Sequence, residues 1–188
     1  GVKKLTEGGE RMKTAVVYRS KTGFTKKYAQ WIAAELAADL FEDSKIGAKR
    51  LADYDTIIYG GGLYAGGISG VKLITKNLQQ LKAEKIVVFA TGATPERAET
   101  TEELRKQNFT PGQLERIRFF YLRGGFDYNK LSLLNKLLMN LLKWSLKRKP
   151  QLTADERGML AAYDTPLDFT REEKISDLVS YCRQETKN

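Results

Sequence analysis

The chain has 188 residues, of which 41% are hydrophobic and 29% charged, a balance that gives one globular domain with a sizeable core and is too short for two. It holds one cysteine, Cys182, and no histidine, which excludes a disulfide framework, a Cys/His metal site and any catalytic Ser-His or Cys-His pair. Chemistry is left to carboxylates, Lys/Arg, Tyr or a cofactor, and the net charge of +9 favours anionic partners: nucleic acid, a phospholipid surface or an acidic small molecule.

The opening "GVKKLTEGGER", residues 1–11, precedes a sharp change into the apolar "TAVVY" and reads as an expression remnant, so the domain is expected over 12–188. Removing its three basic and two acidic residues takes the net charge from +9 to +8, so the basicity belongs to the domain. The lone thiol, and the absence of a signal-peptide pattern or a run of about 18 apolar residues, predict a cytoplasmic protein.

"TAVVY" is a continuous β-branched run, as expected of a strand covered on both faces, and Tyr28, Trp31, Ile32 and Leu36 follow at helical spacing. A weaker apolar piece at Leu40 and Phe41 suits a second, edge strand. "DTIIYGGG" at 55–62 is a buried strand ending in glycines, and "VKLITKNLQQLKAE" from 71 predicts a helix with Val71, Ile74, Leu78 and Leu81 inward. "KIVVFATG" at 85–92 repeats the strand-to-glycine theme, and "TPERAETTEELRKQ" predicts a helix with Thr94 as N-cap and Pro95 in its first turn. "IRFFYLRGG" at 117–125 is the last buried strand, and "REEKISDLVSYCRQ" is a closing amphipathic helix. Strands alternating with helices predict right-handed crossovers, a parallel α/β sheet and helices on both faces, with ligands at the carboxyl ends of the strands.

Three loops lie at such ends. In "SKTGFT" a glycine permits a tight turn, the following helix offers unpaired N–H groups, and the hydroxyls of Ser20, Thr22 and Thr25 exceed what a cap requires; together they predict a phosphate cradle. It is neither a P-loop nor a dinucleotide fingerprint, because "GK[ST]" and "GxGxxG" are both missing. The second loop, "GGGLYAGGISG" at 60–70, has six glycines in eleven residues, a density that lets a flat ligand approach the backbone. Gly61, Gly62, Leu63 and Tyr64 are its candidate contacts, with Tyr64 placed to stack on a ring. The third, "TGATPE" at 91–96, offers Thr91, Gly92 and Ala93 to a ring edge.

These three loops in this order resemble the FMN-binding loops of flavodoxins, over essentially all of residues 13–186. The resemblance implies a five-stranded sheet of order 2-1-3-4-5. It implies FMN phosphate on Ser20, Lys21, Thr22, Gly23, Phe24 and Thr25, and the flavin between the loops of Tyr64 and Thr91. Lys21 departs from the uncharged phosphate loop usual in flavodoxins, and the basic charge departs from the acidic electron carriers.

Between the fifth strand and the closing helix lies extra material, at about 126–166. At helical periodicity Ser132, Lys136, Asn140, Lys143 and Lys147 share one narrow face, while Leu131, Leu133, Leu134, Leu137, Leu138, Leu141, Leu142, Trp144 and Leu146 cover most of the rest. Three readings are open for 131–149: a helix packed over the sheet, a homodimer contact, or a helix at an anionic membrane surface whose lysines meet the headgroups at the inner face. Nucleic acid is disfavoured, since the basic residues do not interleave with exposed aromatics.

The insertion "LRGGFDYNKLSLLNKLLMNLLKW" and the segment "ATPERAETTEELRKQNF" are similar to the menaquinone-linked protoporphyrinogen dehydrogenase branch of flavodoxin-like proteins. That resemblance implies a flavin-borne oxidation with quinone as acceptor and no catalytic side chain, Arg97, Arg123 and Lys130 holding the substrate's propionates. The alternatives are a soluble flavodoxin-type carrier docking on a redox partner protein, and an interaction module that has lost its cofactor.

Overall fold

The computed structural model describes residues 12–131 and 133–186; the expected remnant at 1–11 and the helix-face position Ser132 lie outside the described residues. The apolar runs form β1 (Thr14–Arg19), followed by α1 (Phe24–Leu36), the edge strand β2 (Asp39–Glu42), a short α2 (Ala48–Leu51) and β3 (Thr56–Tyr64). A two-residue strand β4 (Gly67–Ile68) folds back on β3, and then come α3 (Lys72–Thr75), β5 (Lys85–Gly92), α4 (Ala98–Asn108), α5 (Pro111–Leu114) and β6 (Ile117–Arg123). The long strands lie in the order β2-β1-β3-β5-β6, all parallel, which is the expected order with one hairpin strand added.

Alternation along each strand sends successive side chains to opposite faces, and both faces are buried. Val16, Tyr18, Ile58, Val87 and Phe89 meet Tyr28 and Ile32 of α1 and Leu178 of the closing helix on one side. Ala15, Val17, Ile57, Tyr59 and Val88 meet Leu51, Ile74 and Leu104 on the other. This two-sided burial is what requires continuous apolar strands in place of alternating ones.

Two expected helices are shorter than their periodicity predicts. The segment from Val71 is helical only over Lys72–Thr75. The Asn77 amide turns back to the Leu73 carbonyl at 2.8 Å, and the Arg116 guanidinium donates to the Leu78 and Leu81 carbonyls, so those carbonyls are satisfied without a helix. Val71, Ile74 and Leu81 still point inward as expected, with Leu78 packed against the same core. The other helix begins at Ala98, with Arg97 and not Thr94 at its N-cap, because the loop before it is pinned to the end of β6. Tyr121 donates to the Thr94 carbonyl at 2.6 Å, Arg123 Nε to the Ala93 carbonyl at 2.9 Å, and the Arg123 N–H to Glu96 at 2.8 Å.

After β6 the chain makes β7 (Gly125–Phe126), a 3₁₀ turn at Tyr128–Lys130, α6 (Leu133–Lys147), α7 (Ala154–Ala162) and β8 (Leu167–Asp168) before α8 (Ser176–Arg183). β7 and β8 pair antiparallel, Gly125 with Asp168 and Phe126 with Leu167, so the insertion leaves and rejoins the domain through one two-stranded clasp. Of the expected limits of about 126 and 166, Phe126 is the last residue of β7 and Pro166 lies one residue before β8. Asp168 is held there by Lys27 of α1 at 3.0 Å. Burial pushes the Asp168 carboxyl up, but the hydroxyl and N–H of Thr170 and the Lys27 ammonium outweigh it and keep the group below the usual carboxylate range.

Candidate functional site

A cleft of about 700 Å³ opens at the carboxyl ends of β1, β3, β5 and β6, roofed on one side by the insertion. Its floor is the three loops. Gly23 has φ +95° at the N-cap of α1, a left-handed conformation that a side chain would strain, and its N–H donates to Ser20 Oγ at 3.0 Å. That turn leaves the N–H groups of the first helical residues, Phe24 to Lys26, without partners inside the helix and aims the positive end of its dipole at the cleft. Lys21, Thr22, Phe24 and Thr25 line the cleft, whereas Ser20 and Gly23 shape the turn behind it. Lys21 is exposed at the rim, as a point charge beside the cradle.

The buried Thr25 hydroxyl lies 2.7 Å from the equally buried Thr91 hydroxyl, which couples the first loop to the third. Thr91, Gly92 and Ala93 all border the cleft. Tyr121 braces the same loop from below; burial pushes its phenol up to about 12, so it remains a neutral donor to Thr94 throughout the physiological range.

The second loop is a β-hairpin. Its turn residues Ala65 (φ +49°) and Gly66 (φ +80°) both lie in the left-handed region, as a tight two-residue hairpin turn requires. Gly62, Leu63 and Tyr64 face the cleft, Tyr64 with half its surface exposed at 52%. Gly61 is buried beneath the returning strand, where a Cβ would sit 2.5 Å from the Ser69 carbonyl, and takes no part in the cleft wall.

The glycine density therefore serves packing more than a ligand. Gly60 accommodates the Phe89 ring and Gly70 (φ +73°) accommodates the Tyr59 hydroxyl; Gly62 is where backbone opens toward the cleft, a Cβ there meeting the Thr25 and Thr91 hydroxyls only at 3.7 and 4.0 Å.

Asn108, the last residue of α4, carries no sequence signal beyond that of a helix end, yet it holds this hairpin. Its Nδ2 donates to the Gly66 carbonyl at 2.8 Å and its Oδ1 accepts from the Ile68 N–H at 3.0 Å. Replacing Asn108 by Ala should free both groups at a local cost of about 1–3 kcal/mol. Amide exchange at Ile68 should accelerate at least fivefold while core amides keep their protection. Unchanged exchange there would show the hairpin is held without Asn108.

Of the three cations expected at a substrate, Arg123 and Lys130 border the cleft and Arg97 does not. Arg97 stands outside the cleft wall, 3.4 Å from Asp155 of α7 in an exposed pair. Arg123 spends its Nε on Ala93 and lies 3.5 Å above the centroid of the Phe169 ring. Lys130 is exposed, 3.9 Å from Asp127. Most of the remaining wall is apolar and comes from the insertion, Phe126, Leu131, Leu138, Met139 and Met159, with Leu167 and Phe169 after it; Asp127, Asn135 and Asp155 are its polar members. Sequence reasoning does not assign these side chains to the site; Leu131 and Leu138 belong to the wide apolar arc of 131–146, which is the signal for those two.

No group of three or more acidic or thiol side chains is arranged to hold a metal ion among the described residues. The family model described as "Flavodoxin domain" matches residues 15–153. Among solved structures the chain is similar to a flavodoxin from the domain Archaea (18% identity, 63% of this chain and 89% of that one, TM-score 0.42). It is also similar to flavodoxin 2 of Bacillus cereus (22%, 59% and 85%, 0.40) and to two-electron reduced Megasphaera elsdenii flavodoxin (16%, 58% and 85%, 0.42). No curated protein matches the chain. The matched span runs from the second residue of β1 to the N-cap of α7, well over half of the sequence, and the chain belongs to the flavodoxin-domain family.

Proposed function

We propose that this protein is an FMN-dependent oxidoreductase that works on an apolar substrate bearing carboxylates, with a quinone as electron acceptor. FMN is the cofactor of flavodoxin domains, and the residues present fit it. The turn at Gly23 presents N–H groups and hydroxyls for a phosphate, and Gly62 leaves room for a ring against the backbone between Tyr64 and Thr91. When bound, FMN supplies the redox chemistry, taking electrons from a reduced substrate and giving them to the acceptor.

The observation that carries the substrate reading is the shared cleft: the insertion's apolar side chains and Thr22, Phe24 and Thr25 of the first loop wall the same space. A carrier that only docks a partner protein does not need an apolar chamber beside its cofactor. The chain's own residues would act by binding and orientation. Leu138, Met139 and Met159 would offer apolar surface to the ligand, and Arg123 and Lys130 at the rim would pair with its carboxylates. Protoporphyrinogen, the substrate that the resemblance to the menaquinone-linked branch implies, has this character.

The test is anaerobic turnover of the FMN-loaded protein with protoporphyrinogen and a soluble naphthoquinone, without any other protein. Several turnovers per flavin are expected, and Arg123→Gln with Lys130→Gln should raise KM about tenfold or more while kcat changes little. Reduction of the quinone only when a reductase is added would return the protein to the role of a one-electron carrier.

A further inference from the structure

α6 is turned inside out. Its half-buried lysines face the domain, Lys136 lying 5.8 Å from the Tyr128 ring centroid and Lys143 5.0 Å from that of Tyr163. The Tyr128 hydroxyl donates to Asn140 at 2.9 Å, the Tyr163 hydroxyl donates to the Met139 carbonyl, and Leu146 is buried. The opposite face presents Leu134, Leu137, Leu141 and Trp144 to solvent at 56–63% exposure, with Leu133 at 87%. The expectation that Lys136 and Lys143 would meet lipid headgroups is therefore corrected: aromatic rings of the clasp turn and of α7's C-cap hold those lysines inward, and the leucines are left outside.

A water-soluble helix normally buries its leucines and exposes its lysines, so the reversed arrangement calls for an apolar partner. We infer that α6 lies in the interface of an anionic phospholipid bilayer, its leucine face entering the acyl boundary and the basic end of the helix meeting the headgroups. Three observations select a bilayer. From 128 to 154 the sequence has six basic residues and no acidic one. Lys130 and Lys149 pair with Asp127 and Glu156 just outside that span and Lys136 and Lys143 turn inward, which leaves Lys147 and Arg148 as the cations the helix offers. With +9 on the whole chain, an anionic surface attracts where a second copy would be repelled. Lys147 and Arg148 are exposed at the end of α6, with Arg148 stacked 3.7 Å from the Trp144 ring centroid, an aromatic and cationic pair suited to the headgroup level. No helix among the described residues is long and apolar enough to cross a membrane, so the contact is one of lying on the surface. Leu138 belongs both to this exposed face and to the cleft wall, which places the cleft mouth beside the bilayer, where an apolar co-substrate resides.

Vesicle flotation of the full chain tests this independently of any chemistry in the cleft. Flotation is expected with phosphatidylglycerol-containing vesicles and at least tenfold less with pure phosphatidylcholine. Leu137→Ser with Leu141→Ser should cut binding at least tenfold, and Lys147→Glu with Arg148→Glu should do so on anionic vesicles only. Lys136→Gln with Lys143→Gln should leave binding within about threefold. As a check that needs no variant to fold, Trp emission of the wild-type chain should shift to the blue with anionic vesicles, and Trp144→Phe should abolish the shift. The inference is overturned by any of three results: no flotation with anionic vesicles; equal flotation of the leucine variant; or a dimer that the leucine variant dissociates in the absence of lipid binding.

Discussion

Replacing Gly60 by Ala is expected to destabilise the protein by about 3 kcal/mol or more, the upper end of what overpacking a core costs. Gly60 is the rung of β3 between Tyr18 of β1 and Phe89 of β5. The added methyl would lie 2.1 Å from the tip of the Phe89 ring and 2.5 and 2.6 Å from two further ring carbons. Phe89 is fully buried against α1 and α8, so the ring cannot swing aside without displacing Tyr28 or Leu178. For a chain of this size the loss should appear as a fall in thermal midpoint of about 6–12 °C. Phe89→Leu in the same chain shortens the side chain where the methyl enters and should recover more than half of the loss, although alone it leaves a cavity and destabilises. A Gly60→Ala protein within 1 kcal/mol of the parent would mean that β3 and β5 adjust more freely than their seven-rung pairing suggests.

That glycine shows where the sequence was readable and where it was not. The parallel sheet and its helices were legible because two-sided burial demands unbroken β-branched runs, and those runs are printed in "TAVVY", "TIIY" and "KIVVF". The cleft's place followed from the strand ends. What each glycine does was not legible, because a glycine that makes room for Phe89 and one that makes room for a ligand look alike until the neighbouring strand is set beside them. The helix expected from Val71 failed for the same kind of reason: the residue that ends it, Arg116, is far away in sequence and acts on carbonyls. Thr94 has every local mark of an N-cap, yet Tyr121 and Arg123 claim the loop first. In α6 the periodicity identified two faces correctly, but which face meets the domain depends on Tyr128 and Tyr163, outside the helix. The hairpin brace at Asn108 has no local signature at all.

The phosphate cradle should separate into two parts when its threonines are changed one at a time. Thr22 is half-buried on the cleft wall, so Thr22→Ala should remove one bond to a charged acceptor. Such a bond contributes about 1.5–3 kcal/mol, so FMN affinity should fall about tenfold or more while riboflavin affinity and the thermal midpoint stay as they were. Thr25 differs, because its hydroxyl is paired with Thr91 at 2.7 Å and both residues are buried. Thr25→Ala strands the Thr91 hydroxyl away from water, which should cost about 1–3 kcal/mol of folding stability in addition to the loss of FMN affinity. Replacing both partners by valine removes the stranded group and keeps the volume near its original value, so the Thr25→Val, Thr91→Val protein should recover most of that stability. It should not recover FMN, since the hydroxyls on that side of the cleft are gone. Equilibrium unfolding and flavin fluorescence titrations with FMN and riboflavin on the four proteins resolve the two parts. If Thr22→Ala weakens riboflavin as much as FMN, the residue contacts the ring side of the ligand and the phosphate lies elsewhere in the cleft. If the valine pair is no more stable than Thr25→Ala, the two hydroxyls do not form the coupling between the first and third loops, and the start of α1 is held instead by the packing of Phe24 against Gly124 and Gly125 after β6.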